Sequence, residues 1–109
     1  MAKLEQTVYG QSFDTLLRSI EDGILRGSAS ASLEDASDFR EGNARCAVRV
    51  FERYSAIGGN RVSMSVTLFQ AVDGPVQLSA ITAGGSQAMF FKMNTFGEEA
   101  FLDKLRELL

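Results

Sequence analysis

The sequence predicts an α+β fold in which one curved antiparallel sheet carries two helices on the same face. Several segments alternate apolar and polar residues, as strands with one buried face do, and short connections containing Gly, Asn or Asp separate most of them. Two other segments space their apolar residues as helices do. Because each helix has one apolar stripe, packing both on one sheet face buries these surfaces together. The predicted order is one strand, a helix, four or five strands and a second helix.

The first strand and helix are predicted within residues 3–27. Residues 3–9 alternate in polarity and stop at Gly10. Ser12 suits the N-cap of a helix, and Asp14 lies in the first turn, where the helix dipole favours a carboxylate. The apolar residues that follow fall on one helical face: Phe13, Leu16, Leu17, Ile20 and Ile24. The helix is predicted to end near Gly27.

Residues 43–56, which read NARCAVRVFERYSA, predict the central strand because their polarity alternates with a period of two. One parity contains Cys46, Val48 and Val50 and is predicted to face the core, while the arginines of the other parity are predicted to face outward. Before it, residues 28–33 alternate Ser with Ala and Leu, which favours a strand although a loop fits equally well. Residues 34–42 predict a polar approach with a bulge or wide turn.

The remaining elements are three further strands and a helix. Gly58 and Gly59 predict a tight turn into a strand over residues 62–68, and residues 73–75 predict a turn into another over 76–83. After a break at residues 84–86, the apolar run 87–93 predicts a last strand. Thr95 and Glu98 have the spacing of a capping box before the final amphipathic helix. This order matches the TBP-like arrangement, a likeness of topology that carries no function.

Composition indicates one cytoplasmic domain over residues 1–109. The single cysteine, Cys46, permits no internal disulfide, which suits a reducing compartment. No segment approaches the roughly 18 apolar residues of a membrane span, so no membrane association is expected. The net charge of -3 disfavours non-specific binding to phosphate backbones, and stacking aromatic residues are scarce, so nucleic acid is not an expected partner.

The sequence offers little for catalysis. It contains no histidine, which removes the commonest general base and a common metal ligand, and Cys46 is predicted to be buried without a base beside it. Four carboxylates within residues 34–41 lack the ligand spacing of a calcium loop, and residues 84–86 lack the lysine of a phosphate loop. We therefore expect no catalytic residues, no metal and no cofactor, and activity as an enzyme is not favoured.

The open sheet face is the strongest candidate for function. Hydroxyl side chains are predicted to gather there with arginines, whose planar groups suit carboxylates and phosphates. Three interpretations stay open: a solvated face with Arg–Glu pairs, a surface for a homodimer, another homo-oligomer or a protein partner, and a site for a small anionic ligand. The candidate residues are Ser30, Ser32, Arg45, Arg49, Phe51, Arg53, Ser63 and Ser65.

Four runs of the chain carry a resemblance to a known family: SASASLEDASDF, NARCAVRVFERYS, GGNRVSMSVTLF and SAITAGGSQAMFFKMNTFGEEAFLD. Together they resemble a family of short bacterial proteins, mostly of Gram-positive anaerobes, that is catalogued as a domain of unknown function. The resemblance spans nearly the whole chain. It implies a stand-alone bacterial cytosolic domain, and it implies no activity and no functional residue.

Overall fold

The computed structural model describes residues 1–54, 60–84 and 91–109, with residues 91–96 described as backbone only. Seven elements follow the predicted order of strands and helices. They are β1 (Ala2–Val8), α1 (Phe13–Gly27), β2 (Ser32–Glu41), β3 (Ala44–Tyr54), β4 (Arg61–Gln70), β5 (Val76–Gly84) and α2 (Phe91–Arg106). The predicted α+β class and the helix–strand order are therefore confirmed.

The five strands form one antiparallel sheet in the order β1-β5-β4-β3-β2. Strands β2 to β5 follow one another as a meander, and β1 pairs with β5 at the far side. The chain therefore passes from one edge of the sheet to the other through α1. This arrangement makes β4 the central strand and leaves β1 and β2 as the edges. The central position predicted for the strand within residues 43–56 is therefore wrong, because β3 lies between β4 and the edge strand β2.

Both helices pack on one face of the sheet and enclose the core. The N-cap of α1 forms as predicted, because the Thr15 N–H donates to Ser12 Oγ at 3.1 Å. The buried apolar residues of α1 are those predicted from helical spacing. They meet the apolar parity of β4 and the C-terminal half of α2: Val62, Met64, Val66, Leu68, Phe101, Leu102 and Leu105.

The prediction for the faces of β3 is wrong. Ala47 pairs with Leu68 and Phe51 pairs with Met64, so their parity shares the helix side with the buried residues of β4. Ala47 is 1% exposed and Phe51 is 0% exposed, whereas Cys46, on the other parity, is only half-buried. The arginines do not face outward as predicted, because they contact carboxylates and aromatic rings on the helix side of the sheet.

Strand β2 replaces the polar approach predicted for residues 34–42. It continues to Glu41, with a bulge between Leu33 and Asp35, and a turn containing Gly42 at φ +59° leads into β3. An edge strand pairs on one side only, and nearly every residue of β2 is exposed. Its polar composition is therefore compatible with a strand.

The prediction of a last strand over residues 87–93 is wrong for the residues that the structure describes. Residues 91–93 belong to α2, while 87–90 lie outside the described residues. Because α2 begins at Phe91, Thr95 lies within the helix and the predicted cap is also wrong. A short apolar run does not distinguish strand from helix by periodicity. The predicted turn at Gly58 and Gly59, and residues 85–86 of the predicted break, lie outside the described residues.

Candidate functional site

Arg49 joins three elements on the helix side of the sheet. Its Nε donates to Glu21 on α1 at 2.7 Å, and its Nη2 donates to Asp38 on β2 at 3.0 Å. Its Nη1 donates to the carbonyls of Ser37 and Val48. Burial alone would lower the pKa of Arg49, but its hydrogen bonds and charge interactions with Glu21 and Asp38 raise the pKa above its ordinary value. Arg49 as a whole is 8% exposed. Its guanidinium is therefore held in the charged form although it is buried.

The two neighbouring arginines of this parity pack on aromatic rings. Arg45 lies 4.2 Å from the centre of the Phe13 ring, and its Nη1 is 2.6 Å from Asp14 Oδ1. Arg53 lies 4.7 Å from the centre of the Phe101 ring. Its buried Nε makes no hydrogen bond within the described part of the chain, and burial lowers the pKa of Arg53. The contacts of both arginines attach helices to β3.

The structure divides the predicted site residues between two surfaces. Arg45, Arg49, Phe51 and Arg53 lie on the helix side, whereas Ser63 and Ser65 lie on the opposite side with Ser32. Ser30 precedes β2 and accepts a hydrogen bond from the Tyr54 N–H at 3.1 Å. The expected combination of arginines and hydroxyls on one face is therefore wrong. Arg45 and Arg49 bind the chain's own carboxylates. Binding of a small anionic ligand stays a prediction.

We call the sheet surface opposite the helices the open face, since no described helix packs on it. Four of its five strands contribute Ser or Thr, but the surface also contains apolar residues that the parity prediction missed. Phe39 is 64% exposed, Phe69 is 46% exposed and Ile81 is 41% exposed, and Val48 and Val50 are half-buried. The open face consists of Lys3, Glu5 and Thr7 of β1; Gln77, Ser79, Ile81 and Ala83 of β5; Arg61, Ser63, Ser65, Thr67 and Phe69 of β4; Ala44, Cys46, Val48, Val50, Glu52 and Tyr54 of β3; and Ser32, Asp35, Ser37, Phe39 and Glu41 of β2.

Charges on the open face are confined to its margins. Lys3 and Glu5 pair at 3.6 Å on β1, and Arg61 lies 2.6 Å from Glu52 at the end of the sheet where β3 leads into β4. The rows between these margins carry only neutral side chains on β3, β4 and β5, such as Val50, Ser65 and Ile81. The open face therefore combines a neutral centre with charged margins.

Shallow hollows mark the described part of the open face. One of about 260 Å³ lies at Glu52, Arg61 and Ser63, and two others meet at Phe69. The larger of the two at Phe69, about 310 Å³, lies towards β1 and is lined by side chains that include Thr7, Phe69 and Gln77. The smaller, about 190 Å³, lies between Phe39, Cys46 and Phe69. Both are open to solvent and share Phe69 as a wall.

Several contacts of the arginines were not predicted from the sequence. Asp14 and Glu21 are seven residues apart, so they share one face of α1 about 10.5 Å apart. Arg45 and Arg49 are four residues apart on β3, about 13 Å along the strand. These matched spacings were the available signal. It indicates ion pairs only once α1 is known to run alongside β3 in the same direction.

The fold and its surfaces define an α+β protein with a five-stranded antiparallel sheet and a helix layer on one side. Its other face is largely uncharged, and no helix of the described residues covers it. The chain belongs to the Family of unknown function (DUF6054), whose family model matches residues 1–109. The comparison with curated proteins found no match. No helix among the described residues is long and apolar enough to cross a membrane. The bacterial and cytoplasmic setting stays a prediction.

Proposed function

We propose that this protein acts by association rather than by catalysis, and that its open face binds the open face of a second copy. The observation that carries the proposal is the uncovered neutral centre of the sheet. Phe69 and Ile81 there expose 46% and 41% of their surface, although they belong to a well-formed sheet with a complete core on its other side. Exposed apolar surface rimmed by polar residues is typical of docking sites.

The sheet edges are poorer docking sites than the open face. Edge strand β2 carries Asp35, Asp38 and Glu41, and its bulge near Glu34 interrupts the regular ladder. Edge strand β1 carries the charged residues Lys3 and Glu5. Charges and bulges are the devices that keep exposed edges from pairing with other strands. The geometry therefore favours stacking of faces over addition of strands.

The size of the open face suits a dimer. Five strands about 4.8 Å apart and roughly eight residues long span about 500 Å² in projection. Side-chain relief enlarges the contact area towards the ~800 Å² per partner of a standard interface. In a two-fold symmetric dimer the same face of both copies forms the interface, as in most homodimers.

The experiment compares the association of two variants that make the same substitution on opposite layers. Ile81→Glu places a charge on the open face, and Leu25→Glu places it on α1, where Leu25 is 38% exposed against 41% for Ile81. Sedimentation equilibrium should give a dimer for the unchanged chain and for Leu25→Glu. For Ile81→Glu it should give a dissociation constant raised more than about tenfold, because an unpaired charge would be buried.

Circular dichroism shows that each variant is folded before its mass is compared. A monomeric unchanged chain at high concentration would contradict the proposal. So would equal dimerisation of Ile81→Glu and the unchanged chain.

A further inference from the structure

We infer that the two copies dock with their two-fold axis parallel to the central strand β4, an arrangement that rests on the proposed function. With this axis, β4 lies over β4 of the second copy, β5 lies over its β3, and β1 lies over its β2. The antiparallel registers align open-face residues in rows across the sheet. Each row then meets the same row of the second copy in reverse order.

Shape is the first argument for this axis. Phe39, Cys46, Phe69, Gln77 and Thr7 form one row from β2 to β1. Reversing the row places Phe39, which is 64% exposed, opposite Thr7 at the hollow of about 310 Å³. The aromatic ring of β2 thereby faces a recess large enough to admit it. Because of the two-fold symmetry, the dimer contains this contact twice.

Apolar matching and charge are the second argument. The row that runs from Asp35 through Val50 to Ile81 and Lys3, when reversed, places Ile81 over Val50 and Lys3 over Asp35. An axis perpendicular to the strands would instead stack β2 on β2. Asp35 and Glu41 would then face an equally acidic strand, and like charges disfavour that arrangement.

The small residues of β4 are the third observation. Ser63, Ser65 and Thr67 occupy the middle of the open face of the central strand, between Arg61 at one end and Phe69 at the other. Their short side chains leave room for the larger residues of β3 and β5 to interdigitate when sheets stack about 10 Å apart. With the axis along β4, each of the three residues lies opposite itself.

The experiment uses single cysteines in a Cys46→Ser background. Ser63→Cys, Ser65→Cys and Thr67→Cys are each treated with a bis-maleimide that spans about 10 Å, and Ser79→Cys is the matched control on β5. All three β4 variants should give ~fivefold more cross-linked dimer than the control, whose two copies lie roughly 14 Å apart in this arrangement. Sedimentation equilibrium measures the mass of every variant before cross-linking.

The outcomes separate the axis from the proposed function. A dimer in which none or only one of the three β4 cysteines cross-links would overturn this axis and leave the open-face dimer standing. A monomer in every sample would overturn both.

Charge reversal at Asp35 is a second test, because the two axes predict opposite changes in the dissociation constant of the dimer. With the axis along β4, Asp35→Lys places like charges together twice in the dimer and should raise the dissociation constant about fourfold to twentyfold. Adding Lys3→Glu should restore it. With the perpendicular axis, Asp35→Lys would lower the dissociation constant, and that result would overturn the inference.

Discussion

Arg49 is the residue at which α1, β2 and β3 are joined. Its five donors reach two carboxylates and two carbonyls, and they are shielded from water by the helix layer. Hydrogen bonds to charged groups in such surroundings contribute more to stability than exposed pairs do. Arg106, in contrast, pairs with Asp103 while 41% of its side chain is exposed.

Replacing Arg49 should therefore destabilise the protein far more than replacing Arg106. We expect Arg49→Ala to lower the free energy of unfolding by about 2 kcal/mol, because Glu21 and both carbonyls lose their donor. Arg106→Ala should cost less than about 1 kcal/mol. Urea denaturation followed by circular dichroism measures both values. Equal losses would show that the Arg49 network contributes no more than a surface pair.

The contact between the two helices depends on Gly23. A Cβ at this position would overlap the side chain of Leu108, which follows α2. Alanine would favour the helix by about 1 kcal/mol relative to glycine, but the crowding of a packed contact typically costs 1–3 kcal/mol. The two effects oppose each other at one position.

We expect Gly23→Ala to lower the free energy of unfolding by about 1 kcal/mol in the unchanged chain. In a Leu108→Ala background the same substitution should raise it by about 0.5–1 kcal/mol, because only the helix propensity remains. A double-mutant cycle by urea denaturation gives the coupling between the two sites. The same change in both backgrounds would refute a tight contact.

Elements with local signals were predicted well, and those that depend on distant partners were not. Helix α1 was predicted with its cap because Ser12 and the apolar stripe lie within a few residues of one another. The faces of β3 were reversed because Arg49 appears surface-exposed until Glu21, 28 residues away, is placed beside it. Phe39 was not predicted as a site residue, because residues 34–42 were expected to form a polar connection and not the edge strand that exposes its side chain.

At the scale of the whole molecule, one sheet face is buried beneath two helices and the other is open. The candidate site was predicted as a sheet face rich in hydroxyls, and the placement of Ser32, Ser63 and Ser65 on such a face agrees with that prediction. The apolar residues that now support association, among them Ile81 and Phe69, lie on the parity expected to be polar. Their exposure could be recognised only after the register had assigned every strand to a side.

Cys46 allows the central claim to be tested in the unchanged chain. It is the one cysteine of the sequence, and it is half-buried on the open face beside Phe39 and Phe69. Alkylation with a small maleimide at increasing protein concentration measures how accessible the thiol is. If the open faces stack, the rate constant of alkylation should fall as dimer forms. The protein concentration at which half of this fall has occurred should equal the concentration at which sedimentation finds half of the chains in dimers. A rate constant that stays unchanged while the mass doubles would place the interface elsewhere and contradict the account.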